Sequence, residues 1–200
     1  YFDFVIRGGI FSYNDHRYKT CKSTVDVEAH ALDYDRYIEQ EKIQISDFEK
    51  YPDYAVFLDE DVCFHPDYLI LDLQPDCSTE DYFPELNKFF DNFEKSTGYE
   101  VIIAEHPRNS ATDNYFNGRK IISNKTIELV KYSKVVLLHA SISLNFSILY
   151  KKPAMLIDST KYSGRLRNKI KILSIELGFP IIDISSNYSV NNKYEISENK

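Results

Sequence analysis

Short, mostly apolar runs alternate along this chain with longer stretches whose apolar residues recur at helical spacing. The runs are Tyr54–Asp59, Glu100–Ala104, Lys120–Ile122, Lys134–Leu138, Ala154–Ile157 and Ile181–Ile184. Runs this short, rich in β-branched residues and lacking polar alternation, predict strands covered on both faces, as in a parallel sheet. In Pro84–Ser96, Leu86, Phe89, Phe90 and Phe93 fall on one helical face, with Pro84 suited to the first position and Gly98 to the stop. Thr126–Tyr132 turns Ile127 and Val130 inward, and Ser141–Tyr150 carries Leu144, Ile148 and Leu149 on one stripe. Arg165–Leu177 repeats Leu166, Ile170, Leu173 and Leu177, then meets Gly178 and Pro180. Strand–helix alternation of this kind predicts an α/β, doubly wound, mostly parallel sheet over residues 51–186.

The first fifty residues are less regular. Tyr1–Ile6 and Thr24–Ala29 read as strands, Tyr34–Glu41 as a helix, and Ser46–Asp53, with Pro52 and several acids, as a linker. Residues 1–50 are therefore expected to be a remnant of, or extension from, a preceding α/β domain. Residues 187–200, rich in Asn, Ser and charge without periodicity, are expected to form a mobile tail. The opening at Tyr1 inside a strand pattern, with Met155 the only methionine, suits the C-terminal part of something longer or a trimmed chain.

Composition narrows the classes. Hydrophobic residues at 43% and charged residues at 28% are enough for a core and argue against disorder. Lys+Arg 24 against Asp+Glu 31 gives a net charge of −7, which disfavours a nucleic-acid partner. No apolar run nears the roughly 18 residues of a membrane span, and nothing resembles a signal peptide. The three cysteines, Cys21, Cys63 and Cys77, are odd in number and lack ligand spacing, so neither a disulfide scaffold nor a zinc site is expected and a reducing cytoplasm fits. Only six glycines occur, with neither G-x-G-x-x-G nor G-x-x-x-x-G-K-[ST], which disfavours a dinucleotide-binding domain and a P-loop.

Open α/β sheets take ligands beyond the C-terminal ends of their strands, so the residues following each run carry the candidate chemistry. Three runs deliver polar clusters to that edge: Glu105-His106-Pro107-Arg108, His139-Ala140-Ser141-Ile142-Ser143, and Asp59-Glu60-Asp61 with His65-Pro66-Asp67. Ser141 and Ser143 would stand at a helix N-terminus, where free N–H groups and the dipole favour a phosphate; the simpler role for one of them is a cap. His106 and Arg108 could set donors against a phosphate, with Pro107 holding His106 extended; the simpler role for His106 is a core histidine. The acidic cluster with His65 could hold a metal or serve as a general base, against the simpler reading of a solvated loop. Lys161, Arg165, Arg167, Lys169 and Lys171 spread around a helix and read as a solvated face. Sixteen tyrosines and no tryptophan are compatible with sugar contact.

The stretch VIIAEHPR (Val101–Arg108), followed by TIELVKYSKVVLLHASISLNFSILYKKPAMLI (Thr126–Ile157), resembles the C-terminal half of GT-B glycosyltransferases. Among these it is similar to the groups that build bacterial capsule and lipopolysaccharide, sialyltransferase- and Kdo-transferase-like enzymes with a His-Pro motif and a Ser-rich motif. YAVFLDEDVCFHPD (Tyr54–Asp67) looks like the opening of the same domain, and the likeness covers about residues 51–184. It implies a Rossmann-like GT-B C-terminal domain in which His106-Pro107 and Ser141 with Ser143 contact the nucleotide and phosphate of a sugar-nucleotide donor; Arg108 and His139, from the same strand-end clusters, complete the expected donor-binding set. The serine pair departs from the pattern in being split by Ile142. It also implies that the catalytic acid/base lies in an N-terminal domain; no D/E-D/E-G motif is present, and Asp59, Asp33 and Asp35 are the candidates this chain offers.

The expected function is the donor-binding part of a glycosyltransferase acting on a bacterial surface polysaccharide. Its partners are a nucleotide-sugar donor and a glycan acceptor, with no cofactor and no metal, in the cytoplasm or peripherally at the inner membrane. A sugar-nucleotide epimerase of the same architecture and a non-catalytic nucleotide-sugar- or glycan-binding module are the alternatives. An epimerase would turn over donor without acceptor, and a binding module would turn over nothing.

Overall fold

The structure is a computed structural model that describes residues 2–8, 20–43, 46–108 and 115–185. The expected tail, 187–200, lies outside the described residues. The chain divides into two compact units, Tyr1–Gln44 and Ile45–Lys200.

In the first unit, strands β1 (Phe4–Gly8) and β2 (Val25–Ala29) pair in parallel with Phe4 opposite Val25, and helix α1 (Leu32–Glu41) follows. An ion pair between Arg7 and Asp26 at 2.6 Å crosses the two strands.

The second unit is built on six parallel strands: β3 (Tyr54–Leu58), β4 (Glu100–Ala104), β5 (Ile121–Ile122), β6 (Val135–Leu138), β7 (Ala154–Asp158) and β8 (Ile181–Asp183). Their order is β5-β4-β3-β6-β7-β8. From β3 the chain steps outward one way and from β6 the other, the winding of a Rossmann-like, doubly wound sheet. The central strands β3 and β6 are buried along their whole length, as their apolar runs predict. The remaining helices are α2 (Asp67–Ile70), α3 (Thr79–Thr97), α4 (Thr126–Tyr132), α5 (Leu144–Leu149) and α6 (Gly164–Leu177).

Two local expectations change. Helix α3 begins five residues before Pro84, because Ser78 caps it by accepting the Asp81 N–H. Pro84 therefore sits in the second turn, where it forfeits one backbone bond. Gly98, at φ +75°, closes the helix as expected. Ser46–Asp53 is not a loose linker: buried Ser46 accepts the Phe48 N–H and donates to Glu128, and Phe48 packs on the core. The basic stretch around α6 lies at the surface as expected, with three of its five cations in ion pairs: Lys161 on Asp81, Arg165 on Asp76 and Arg167 on Asp158.

One ion-pair network ties α3 to the connection before β5. The Arg119 guanidinium, nearly buried, donates to Asp91 at 2.6 Å, to Glu94 at 2.8 and 3.1 Å and to Asn87 at 3.2 Å, and lies over the Phe90 ring. Glu94 also accepts the Val101 N–H at the start of β4. Among the described residues, no helix is long and apolar enough to cross a membrane.

Candidate functional site

In this strand order the chain reverses direction between β3 and β6, and the crevice beyond their C-terminal ends is where such sheets take ligands. Asp59, Glu60 and Asp61 leave β3 at this edge, His139, Ala140 and Ser141 leave β6, and Glu105 to Arg108 leave β4 beside them. The three clusters expected to converge do share one edge.

At the reversal point, the anion is the protein's own. The Glu60 carboxylate accepts the N–H of His139 at 3.1 Å and of Ala140 at 2.6 Å through one oxygen. Its pKa rises to about 7, because loss of solvent outweighs those two hydrogen bonds. Nothing in the local sequence of Glu60 marks this role; its partners lie about eighty residues away.

His139 turns away from the edge and into the core. It is wholly buried, with its Nδ1 2.9 Å from the Ile157 carbonyl and its Nε2 2.9 Å from the Tyr82 hydroxyl. The carbonyl can only accept, so Nδ1 carries the proton and Nε2 accepts from Tyr82. Phe57 and Tyr162 meet the ring edge to face. Burial lowers its pKa to about 4, so it stays neutral. The expected donor contact for His139 is thus replaced by a core role, with both nitrogens occupied inside the protein.

The serine motif also changes form. Helix α5 starts at Leu144, not Ser141, and spans only six residues. A tight turn precedes it, in which Leu144, Asn145 and Phe146 donate to the carbonyls of Ser141, Ile142 and Ser143. Ser141 Oγ accepts the Ser143 N–H at 3.2 Å. The amides of Ser143, Leu144, Asn145 and Phe146 are therefore spent within the turn, and Ile142, 82% exposed, parts the two hydroxyls.

The His-Pro run is better placed. His106 is half-buried, and its ring meets His65 edge to face at 4.9 Å between centroids. His106 Nδ1 accepts the Arg108 N–H at 3.2 Å, which leaves Nε2–H as the donor of the neutral ring. Burial, then the neighbouring His65 and Arg108, lowers its pKa, so the neutral form prevails at pH 7. Exposed Arg108 is held by Asp67 at 3.2 Å, and His65 Nδ1 accepts the Asp67 N–H. Pro107 is exposed and follows β4 directly with His106.

Asp59 is buried and accepts the backbone N–H groups of Asp61 and His106; desolvation raises its pKa to about 6. Asp59 and Asp61 line one cavity while Glu60 points elsewhere, although Asp61, at φ +52°, has left the extended geometry on which that expectation rested. The alternative metal cluster at Asp59, Glu60, Asp61 and His65 is not assembled: among the described residues, no three His, Cys, Asp or Glu side chains are placed to share an ion. Asp33 and Asp35 stand in the first turn of α1, in the first unit.

No protein-family model matches the chain, and no curated protein does either. Among solved structures, one similar chain is described as the glycotransferase of kitacinnamycin, at 9% identity and a TM-score of 0.41. The match covers 70% of this chain and 34% of that one, so this chain spans about a third of its length.

Proposed function

We propose that the second unit binds the phosphate of a nucleotide-sugar donor, and that the chain is the donor-binding part of a glycosyltransferase acting on a bacterial surface polysaccharide. The observation that carries this reading is the His106-Pro107-Arg108 run, which sets an N–H donor and a guanidinium beside the reversal point of a Rossmann-order sheet. In transfer, negative charge grows on the leaving phosphate, and in this reading these two groups, with the Ser141 and Ser143 hydroxyls, are the donors that meet it. No metal is required by this scheme. The acceptor is a glycan, no nucleic acid is involved, and the setting is the cytoplasm, free or peripherally at the inner membrane.

The test is calorimetric titration with CMP-, UDP-, GDP- and CDP-linked sugars. His106→Ala weakens the best of these by about 1–3 kcal/mol, the range for a hydrogen bond to a charged group. Unchanged affinity removes His106 from the site. EDTA leaves the same binding intact; loss on chelation, restored by Mg²⁺ or Mn²⁺, reassigns the site to the acidic residues.

A further inference from the structure

Strands β3 and β4 are neighbours, and each is followed by a His-Pro run: His65-Pro66-Asp67 after β3 and His106-Pro107-Arg108 after β4. In both, the histidine Nδ1 accepts the backbone N–H two residues on, from Asp67 and from Arg108, each at 3.2 Å. The third residues pair with each other, Arg108 on Asp67 at 3.2 Å, and the two rings meet at 4.9 Å with an interplanar angle of 60°. The nucleotide-binding residues proposed above come from the second run only, and His65 has no role among them.

The shared backbone bond fixes the chemistry of both rings. A neutral imidazole whose Nδ1 accepts a hydrogen bond carries its proton on Nε2. Each ring therefore presents an N–H donor and no free lone pair, which suits an oxygen acceptor and not a metal ion. Among the described residues neither Nε2 has a hydrogen-bond partner, and neither is sealed from solvent. The backbones that carry the rings are held as well. His65 donates its N–H to the Asp61 carbonyl at 2.8 Å, and the Asp59 carboxylate accepts the His106 N–H. Of the neighbouring carboxylates, Asp67 is held by Arg108 and Asp61 keeps its Oδ2 inside the protein, so neither takes these donors.

A ligand that spans two adjacent N–H donors needs two oxygens close together, and it gains most if it is an anion. A phosphate is such a group: with the rings in contact, a different oxygen can meet each Nε2–H at hydrogen-bond distance. Arg108 adds positive charge at the same place. We infer that His65 and His106 bind one phosphate group jointly, each giving its Nε2–H to a separate oxygen, so that His65 is a binding residue in its own right. That the phosphate belongs to a nucleotide sugar rests on the glycosyltransferase reading; the paired donors rest on the two rings alone.

The experiment is NMR titration of the 200-residue chain with inorganic phosphate, pyrophosphate and the CMP-, UDP-, GDP- and CDP-linked sugars, reading the imidazole resonances. Phosphate or pyrophosphate shifts both rings with one shared dissociation constant. His65→Asn keeps a side-chain oxygen that can accept the Asp67 N–H, as in an Asx-turn, but lacks the reach of Nε2. It weakens phosphate binding roughly ten-fold, the scale of one hydrogen bond to a charged group, and His106→Asn does the same. A role for His65 in the turn alone would leave the affinity of His65→Asn unchanged, and that result overturns the assignment. So does the absence of a saturable shift of the two wild-type rings, or ¹⁵N shifts that place the proton on Nδ1 in both. Phosphate held by both rings while no nucleotide sugar binds supports the pair and overturns the nucleotide-sugar reading, so the two failures are separate results.

Discussion

His139→Gln is expected to destabilise the protein by about 3 kcal/mol at pH 7.5, through the partners it strands and the space it leaves. The Tyr82 hydroxyl and the Ile157 carbonyl both lose their partner, and two aromatic edges lose their contact. The deficit should shrink as the solution is acidified. In the folded protein His139 titrates near 4, and in the unfolded chain near 6.5, so between those values the unfolded state binds more protons. The stability that neutral His139 supplies is therefore present above pH 6.5 and is lost as pH falls toward 4. Between pH 7 and pH 5 the difference between wild type and variant should narrow by about 2 kcal/mol. Asp59 and Glu60 act oppositely: their raised pKa values make the folded state the stronger proton binder between about pH 4 and 7, so their contribution falls as pH rises. Urea denaturation of both proteins at several pH values isolates the histidine, because the carboxylates are common to both. A variant of wild-type stability that loses nucleotide binding would return His139 to the donor site.

Arg119→Ala should cost about 3 kcal/mol, most of it from leaving Glu94 and Asn87 without their shared partner. The guanidinium makes four hydrogen bonds while 7% exposed, so salt screens it poorly. Arg119→Lys should recover less than half of the loss, since an ammonium cannot span both carboxylates in the same fork. Chemical denaturation with an unchanged slope measures both variants. A loss below about 1 kcal/mol would place the network among ordinary surface ion pairs.

The sheet was legible because its signal is local. The segments Tyr54–Leu58, Val101–Ala104, Val135–Leu138 and Ala154–Ile157 are apolar throughout, and a strand buried on both faces has no other sequence form. Helix ends were read less well. Pro84 looked like a first-turn proline, which hid the stronger cap at Ser78, and Ser141 looked like a cap although the turn it opens precedes α5. The site suffered most where partners are distant in sequence. His139 could be assigned to the edge by its position after β6, but its direction is set by Tyr82, 57 residues earlier, and no local pattern encodes that pairing. His106 and Arg108 fared better, since their neighbours His65 and Asp67 follow the adjacent strand.

Glu60 has a consequence for how such sheets acquire or lose ligands. The backbone N–H groups after β6 form a receptor that is indifferent to whether its anion arrives by diffusion or by covalent attachment. An attached carboxylate is present at an effective concentration no free phosphate can match, so the receptor is filled from the moment of folding. Whether the same backbone serves as an open anion receptor or as an internal fastening between two strand ends is decided by one side chain just beyond the neighbouring strand.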